Sequence, residues 1–149
     1  MLSPTLIRIG VTAALGLHAV AHANALAALV RQALGQTPDL AARLWPLPDL
    51  GAGVAAGLGL PFWIIATAAF ALAALSFWGV ALPLPGWRQL AIGGAVASVL
   101  GVALFFGTWP GAPDTFYSLL DIGVALAMNF VIFGVLLWLH WPPEPMFGR

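Results

Sequence analysis

The sequence predicts an all-helical membrane protein, a bundle of four transmembrane helices that run alternately up and down. Hydrophobic residues make up 62% of the 149-residue chain and charged residues 7%, a composition that soluble domains do not have. Uncharged stretches at residues 9–30, 50–87, 89–113 and 122–143 each reach the roughly 20 residues that a helix needs to cross a bilayer. Short connections between the last three stretches favour antiparallel neighbours.

The composition also limits the classes of function. A chain of this length leaves no room for a separate soluble module, so residues 1–149 are predicted to form a single membrane domain. The absence of cysteine excludes disulfides, iron–sulfur clusters and covalently attached c-type haem. A net charge of zero gives no indication of nucleic acid binding. The sequence contains no nucleophile motif and no phosphate-binding loop, so it predicts a protein that is not an enzyme.

The first helix is predicted at residues 5–34, because Pro4 suits a first helical turn and Gly35 suits a helix end. Residues 36–49 are polar and contain three prolines, which indicates a connection. The next ten residues, 51–60, are rich in glycine and are followed by a proline. Since glycine and proline disfavour helix interiors, we expect a short interfacial or re-entrant segment there.

The other three helices are predicted at residues 62–82, 88–108 and 115–141. Prolines follow the end of each one, and Asp114 can cap the beginning of the fourth. Six tryptophans fall near these helix ends, which is typical of the aromatic belt at the two membrane surfaces. These are Trp63, Trp78, Trp87, Trp109, Trp138 and Trp141.

The arginines favour an orientation in which both termini lie in the cytoplasm. The side with the termini and the second connection carries Arg8, Arg88 and Arg149, whereas the other side carries Arg31 and Arg43 with three aspartates. The chain has no lysine and an excess of alanine and glycine, which is typical of a GC-rich bacterial genome. We therefore expect a multi-pass protein of a bacterial cytoplasmic membrane, in contact with lipid and with other membrane protein subunits.

The few polar side chains inside the predicted spans are the candidate functional residues, because such groups are costly in hydrocarbon. His18 and His22 are four residues apart and share one face of the first helix, whereas Asn24 lies on a different face. A rise of about 1.5 Å per residue brings His22 near the level of Asp121, and His18 near that of Asn129. The sequence thus predicts a polar layer of His18, His22, Asp121 and Asn129.

Several arrangements of this layer are open at this point. The simplest is interhelical hydrogen bonding, in which Asp121 holds the imidazole of His18 or His22. The same three residues have the types of side chain that bind metals, although a full ligand set is not evident in the sequence. Haem held by both histidines is not favoured, because residues four apart cannot take opposite faces of one ring.

Two resemblances bear on these residues. The run from Ala14 to His18 resembles the Ala-x-x-x-His pattern of light-harvesting helices, which implies bacteriochlorophyll bound by His18 or His22. Over its whole length the chain also resembles a loose group of small uncharacterised bacterial four-helix membrane proteins. The matching residues are His18, His22, Trp109 and Asn129, while the glycine-rich insert departs from the pattern. This second resemblance implies the topology and no chemistry.

Two classes of function follow. The absence of a catalytic constellation favours a non-catalytic accessory subunit of a larger photosynthetic or respiratory membrane complex, packed against partner helices, lipids or pigments. The alternative is a ligand-binding membrane protein, in which His18 or His22 with Asp121 holds bacteriochlorophyll, haem, a quinone, a lipid or a metal.

Overall fold

Four helices, each long and apolar enough to cross a membrane, account for most of the computed structural model, as the sequence predicts. The structure describes residues 3–36, 41–80 and 86–143, and these residues form no β-strand. The helices are α1 (Pro4–Ala33), α2 (Ala52–Ser76), α3 (Gly86–Leu104) and α4 (Thr115–Phe133), and α4 continues as a π-helical turn (Gly134–Trp138).

The helices pack in chain order. α1 lies against α2, α2 against α3 and α3 against α4, whereas direct backbone contact between α1 and α4 is sparse among the described residues. Buried apolar side chains form two clusters, one around Phe70, Phe77 and Trp87 and the other around Trp63 and Phe105. The bundle therefore has a well-packed side, formed by α2 and α3, and a looser seam between its first and last helices.

Residues 52–60 of the glycine-rich segment belong to α2 and Gly51 is its N-cap, so the prediction of a separate interfacial segment is wrong. α2 continues through Pro61 and ends at Ser76, before the predicted end at residue 82. Its 25 residues correspond to about 37 Å, which a bilayer of about 30 Å accommodates by tilting the helix. The earlier end removes the length argument against one continuous crossing. Gly79, at a φ of 73°, follows the helix in a tight turn.

Close packing explains why the glycine-rich segment is helical despite its weak propensity. A Cβ atom on Gly59 would lie 2.9 Å from Cζ of Phe105 and 3.3 Å from Cδ1 of Leu29. Such an approach is open only to glycine, and it brings α2 into contact with both of its neighbours. Ala55 and Ala56 are buried in the same cluster. Tertiary contacts thus outweigh the local preference of this segment.

The remaining boundaries follow local capping. Asp114 accepts a hydrogen bond from the backbone N–H of Tyr117 at 3.0 Å and caps α4, as predicted. Ser3 caps α1 through the N–H of Leu6 at 3.2 Å. α3 ends at Leu104 and not at residue 108, because its last turn loosens into the irregular connection that leads to α4.

Three of the six belt tryptophans lie inside the bundle, so the belt interpretation is wrong for Trp63, Trp87 and Trp109. These rings fill the space that small residues leave: a Cβ atom on Gly101 would lie 2.9 Å from Cζ3 of Trp63. Trp87 packs on Phe77 with ring centroids 4.6 Å apart. The belt stays a prediction for the exposed tryptophans, which are Trp78, Trp138 and Trp141.

Side-chain contacts fix which helix ends lie together. Arg88, at the start of α3, donates hydrogen bonds to the backbone carbonyls of His140 and Pro142, just after the π-helical turn. Trp78, just after α2, donates from Nε1 to Oγ1 of Thr12 in α1 at 2.6 Å. One end of the bundle therefore holds the first half of α1, the end of α2, the start of α3 and the end of α4, as an antiparallel arrangement requires.

The opposite end is held by Gln32, a buried residue of α1. Its amide nitrogen donates to the carbonyls of Ala42 at 2.9 Å and Ala52 at 2.8 Å, and its oxygen accepts from the N–H of Ala42 at 2.7 Å. The N–H of Trp45 donates to the carbonyl of Leu104 at 3.1 Å. These bonds attach the described part of the connection between α1 and α2 to the bundle.

Candidate functional site

Four buried polar side chains from three helices meet in the middle of the bundle. They are His18 and His22 of α1, Ser98 of α3 and Asn129 of α4, each no more than 5% exposed. Nε2 of His18 lies 3.1 Å from Oδ1 of Asn129, and Nδ2 of Asn129 lies 2.7 Å from Oγ of Ser98. Nε2 of His22 lies 2.8 Å from the same Oγ, and its Nδ1 lies 3.0 Å from the carbonyl oxygen of His18. We call this group the polar network.

The chemistry of the groups fixes the direction of every hydrogen bond in the polar network. A backbone carbonyl only accepts, so Nδ1 of His22 carries the hydrogen and Nε2 of the neutral ring accepts from the hydroxyl of Ser98. That hydroxyl has one hydrogen, so its oxygen accepts from the amide nitrogen of Asn129. Oδ1 of Asn129 then accepts from Nε2–H of His18. The chain of donors runs in one direction and both begins and ends at His18.

Aromatic rings surround the two imidazoles. The ring of His18 lies edge to face with Phe70 at a centroid distance of 4.5 Å and with His22 at 4.6 Å. His22 contacts Trp109 in the same way at 5.5 Å. These contacts leave little freedom to reorient either ring, so the directions of the hydrogen bonds are held by packing as well as by polarity.

The predicted polar layer is thus only partly assembled. The structure brings together His18, His22 and Asn129, but the expectation that Asp121 is the partner of a histidine is wrong. Asp121 is half-buried and lies closer to the membrane surface, on the wall of a cavity. Sequence reasoning does not identify Ser98, because nothing in the sequence shows which face of α3 meets α1 and α4.

The cavity occupies the α1–α4 seam and has a volume of about 490 Å³. It reaches from Arg31, near the end of α1, to His18, and at about 1.5 Å per residue this is a depth of about 20 Å. Its polar lining consists of five side chains, and Trp109 contributes an aromatic wall. The five side chains are His18, Asn24, Arg31, Tyr117 and Asp121. We call it the polar cavity.

His18 is the one residue shared by the polar network and the polar cavity. Its Nε2 is bonded to Asn129, whereas its Nδ1 makes no hydrogen bond within the described part of the chain. Asn24, which the sequence separates from the histidine face, lines the same cavity as His18 because the cavity is wide enough to span both faces of α1.

A second cavity of about 300 Å³ lies farther along the same seam, toward the other end of the bundle. Its walls are mainly apolar and come from the first half of α1, the second half of α4 with the π-helical turn, and Trp87 of α3, with Leu15 and Met128 nearest the membrane centre. We call it the apolar cavity. The hydrogen bond between His18 and Asn129 crosses the seam between the two cavities.

The structure gives little support to a metal site. Within residues 3–36, 41–80 and 86–143, no three histidine, aspartate or glutamate side chains lie close enough together to hold an ion. Both nitrogens of His22 are engaged in hydrogen bonds, and so is Nε2 of His18. Of the nitrogens of these two histidines, only Nδ1 of His18 is left to bind the metal of a haem or a bacteriochlorophyll.

Comparison with known proteins found no matching family model, no matching curated protein and no matching solved structure. The resemblances to light-harvesting helices and to small four-helix membrane proteins stay predictions.

Proposed function

We propose that this protein binds a lipid-soluble small molecule in the α1–α4 seam, with the polar head of the molecule in the polar cavity. The observation that carries the proposal is that five polar side chains line one cavity within the membrane-spanning helices. Ionisable and amide groups are rare inside a bilayer and usually mark a ligand or ion pathway.

The dimensions of the polar cavity suit a small ligand. A volume of about 490 Å³ falls within the roughly 300–1,000 Å³ of typical ligand sites. The wall combines an arginine, a carboxylate and hydrogen-bonding groups with the indole of Trp109. Such a surface suits a compact ring or ester head that has several oxygen atoms.

The apolar cavity supports the assignment to a molecule with a hydrocarbon tail. It follows the polar cavity along the seam and is lined by side chains such as Leu15, Ile132 and Leu136. A hydrocarbon chain that follows the seam past His18 would cover these apolar side chains. Of the molecules considered from the sequence, a quinone or another lipid has this division into head and tail.

Purification in a mild detergent, followed by mass spectrometry of extracted lipids and an absorption spectrum, tests the proposal. We expect one lipophilic species bound in stoichiometric amount, without the intense absorption bands of a tetrapyrrole. Wild-type protein that retains only bulk lipid would contradict the proposal, and a visible or near-infrared band lost in His18→Ala would point to haem or bacteriochlorophyll instead.

A matched pair of variants locates the molecule. Ala21 lines the polar cavity, whereas Ala13 is equally exposed on α1 and lines neither cavity. We expect Ala21→Leu to lower the bound amount at least severalfold, because the added carbons occupy the cavity, and Ala13→Leu to leave it unchanged. Equal retention in the two variants would place the molecule elsewhere.

We also infer that the protein lies in a bacterial cytoplasmic membrane with both termini in the cytoplasm. Arg8 and Arg88 lie near the end of the bundle that holds the first half of α1 and the start of α3. The other end has Arg31 and Arg43 together with two described aspartates, Asp49 and Asp114. With Arg149, which follows α4 in the sequence, the first end has three of the five arginines, and the end with the excess of arginine and lysine faces the cytoplasm in most membrane proteins.

The accessory-subunit interpretation stays a prediction from composition. The outer faces of the helices carry exposed side chains such as Leu17, Val20 and Phe130. Lipid alone is sufficient to cover them, and the cavity argues more directly for a ligand than these faces argue for a partner helix.

A further inference from the structure

We propose that the polar network fixes His18 as a hydrogen-bond acceptor toward the polar cavity, so that the site selects a lipophilic phenol, such as a long-chain hydroquinone. This inference rests on the proposed function and specifies its ligand. A molecule that offers only carbonyl or ether oxygens at the deep end of the cavity would be bound more weakly.

The backbone carbonyl of His18 sets the direction of the hydrogen bonds in the polar network. Because this oxygen cannot donate, it holds the hydrogen on Nδ1 of His22 and excludes the reversed direction of the whole polar network. Reversal would place the lone pair of Nδ1 against the lone pairs of the carbonyl oxygen. The hydroxyl of Ser98 must then donate to His22, and the amide of Asn129 must donate to Ser98.

The consequence for His18 follows directly. Only the oxygen of Asn129 remains for it, so Nε2 of His18 carries the hydrogen and Nδ1 of the neutral ring is bare. Protonation of the ring would place a charge in a site almost fully removed from water, which is costly. Nδ1 is therefore the one polar atom that His18 has left for a ligand in the polar cavity.

The rest of the lining complements this acceptor. Arg31, Asn24 and Tyr117 can all donate hydrogen bonds, and they lie between His18 and the membrane surface. The ligand thus meets these donors and the carboxylate of Asp121 on the way in, and the acceptor Nδ1 of His18 at the deep end. Trp109 and Tyr117 add aromatic surface on the side of α4 and its preceding connection, which favours a flat ring carrying the hydroxyl group over an aliphatic alcohol.

Nitrogen NMR on protein with isotope-labelled histidine tests the first half of the inference without any ligand. In lipid nanodiscs, we expect a protonated Nε2 and a bare Nδ1 for His18, and the opposite tautomer for His22. His18→Gln and His22→Gln variants assign the signals. Finding the hydrogen on Nδ1 of His18 would overturn the inference and leave the proposed function intact.

Binding of para-decylphenol and its methyl ether, para-decylanisole, tests the second half. The two probes share ring, tail and oxygen and differ in the hydroxyl hydrogen. One unpaired buried hydrogen-bonding group changes affinity by about tenfold, so we expect the phenol to bind about tenfold more tightly in nanodiscs. Equal binding would overturn the inference alone, and binding of neither probe would overturn the proposed function as well.

A variant separates the role of Nδ1 from that of the polar network. Glutamine at position 18 can place its amide nitrogen near the position of Nε2 and keep the bond to Asn129, while its one acceptor, the amide oxygen, is displaced from the position of Nδ1. We expect His18→Gln to remove the preference for the phenol over the anisole. Ala13→Leu, at a position that lines neither cavity, should retain the preference. A His18→Gln protein that still prefers the phenol would contradict the inference.

Discussion

Each side chain of the polar network forms a hydrogen bond with a buried group that would otherwise have no partner in an apolar surrounding. Asn129 is fully buried and uses both ends of its amide, while Ser98 both donates and accepts. In water such groups could exchange partners with solvent, but inside a bundle their loss exposes buried donors and acceptors. The network therefore specifies which faces of α1, α3 and α4 meet, in addition to holding His18.

Asn129→Ala tests this role. The substitution leaves Nε2–H of His18 and the oxygen of Ser98 without their partner, so we expect a loss of about 1–2 kcal/mol in the free energy of unfolding. Steric trapping or unfolding in mixed micelles measures it. Asn24→Ala is the control, because Asn24 is exposed and has no hydrogen bond among the described residues, and its effect should stay within about 0.5 kcal/mol. A fully stable Asn129→Ala protein would contradict this account.

At the scale of helices, single buried glycines allow α3 to approach α2 closely, whereas exposed glycines of the same helix do not contribute to this contact. Gly94 and Gly101 are buried against α2, whereas Gly93 is exposed with no atom of a neighbouring helix within 4 Å of a Cβ built there. Small residues at such interfaces replace the hydrophobic driving force that is missing between helices in lipid. The indole of Trp63 occupies the space beside Gly101.

Gly101→Ala and Gly93→Ala should therefore have opposite effects. The new methyl group at position 101 would lie 2.9 Å from Cζ3 of a buried tryptophan, and we expect a destabilisation of about 1–3 kcal/mol. At position 93 the methyl group meets no neighbour, and the better helix propensity of alanine should leave stability equal or increase it by up to about 1 kcal/mol. Thermal unfolding of the pair in one detergent decides the matter, and similar losses in both variants would be evidence against the packing of α2 on α3.

At the scale of the whole molecule, the uneven packing of the bundle creates the site. The contacts of α2 with α1 and α3 are dense, and the seam between α1 and α4 contains both cavities. The two helices that form the seam, α1 and α4, are the first and last of the bundle, so no short connection holds them together. Ligand binding in the seam would supply the packing that the chain itself does not.

The topology can be tested with single cysteines, because the natural chain has none. Ser3 lies at one end of the bundle, and Leu47, in the exposed connection before α2, lies at the other. With the termini in the cytoplasm, we expect a membrane-impermeant maleimide to label Leu47→Cys in intact cells and Ser3→Cys only after permeabilisation. The reversed pattern would overturn the orientation. Labelling of both variants in intact cells would show that α1 does not cross the membrane.

The sequence by itself determined that this protein is built for a lipid bilayer and that it has four helices. Long uncharged stretches can exist only as helices in a bilayer, because every backbone group must be paired within the segment, and local groups such as Asp114 fixed some helix ends. It also indicated that His18 and Asn129 lie at similar depth, since depth follows from helical rise alone.

The tertiary structure decided everything that depends on which faces meet. In the structure α2 continues through the glycine-rich segment and Pro61, and Ser98 is hydrogen-bonded to His22. Asp121, which the sequence predicts as the partner of a histidine, lies on the wall of the polar cavity. The helices are apolar nearly all round, so the sequence has no strong hydrophobic periodicity to orient them. Their rotation is set instead by the fit of glycines against rings and by the pairing of a few buried polar groups, which are properties of the assembled bundle.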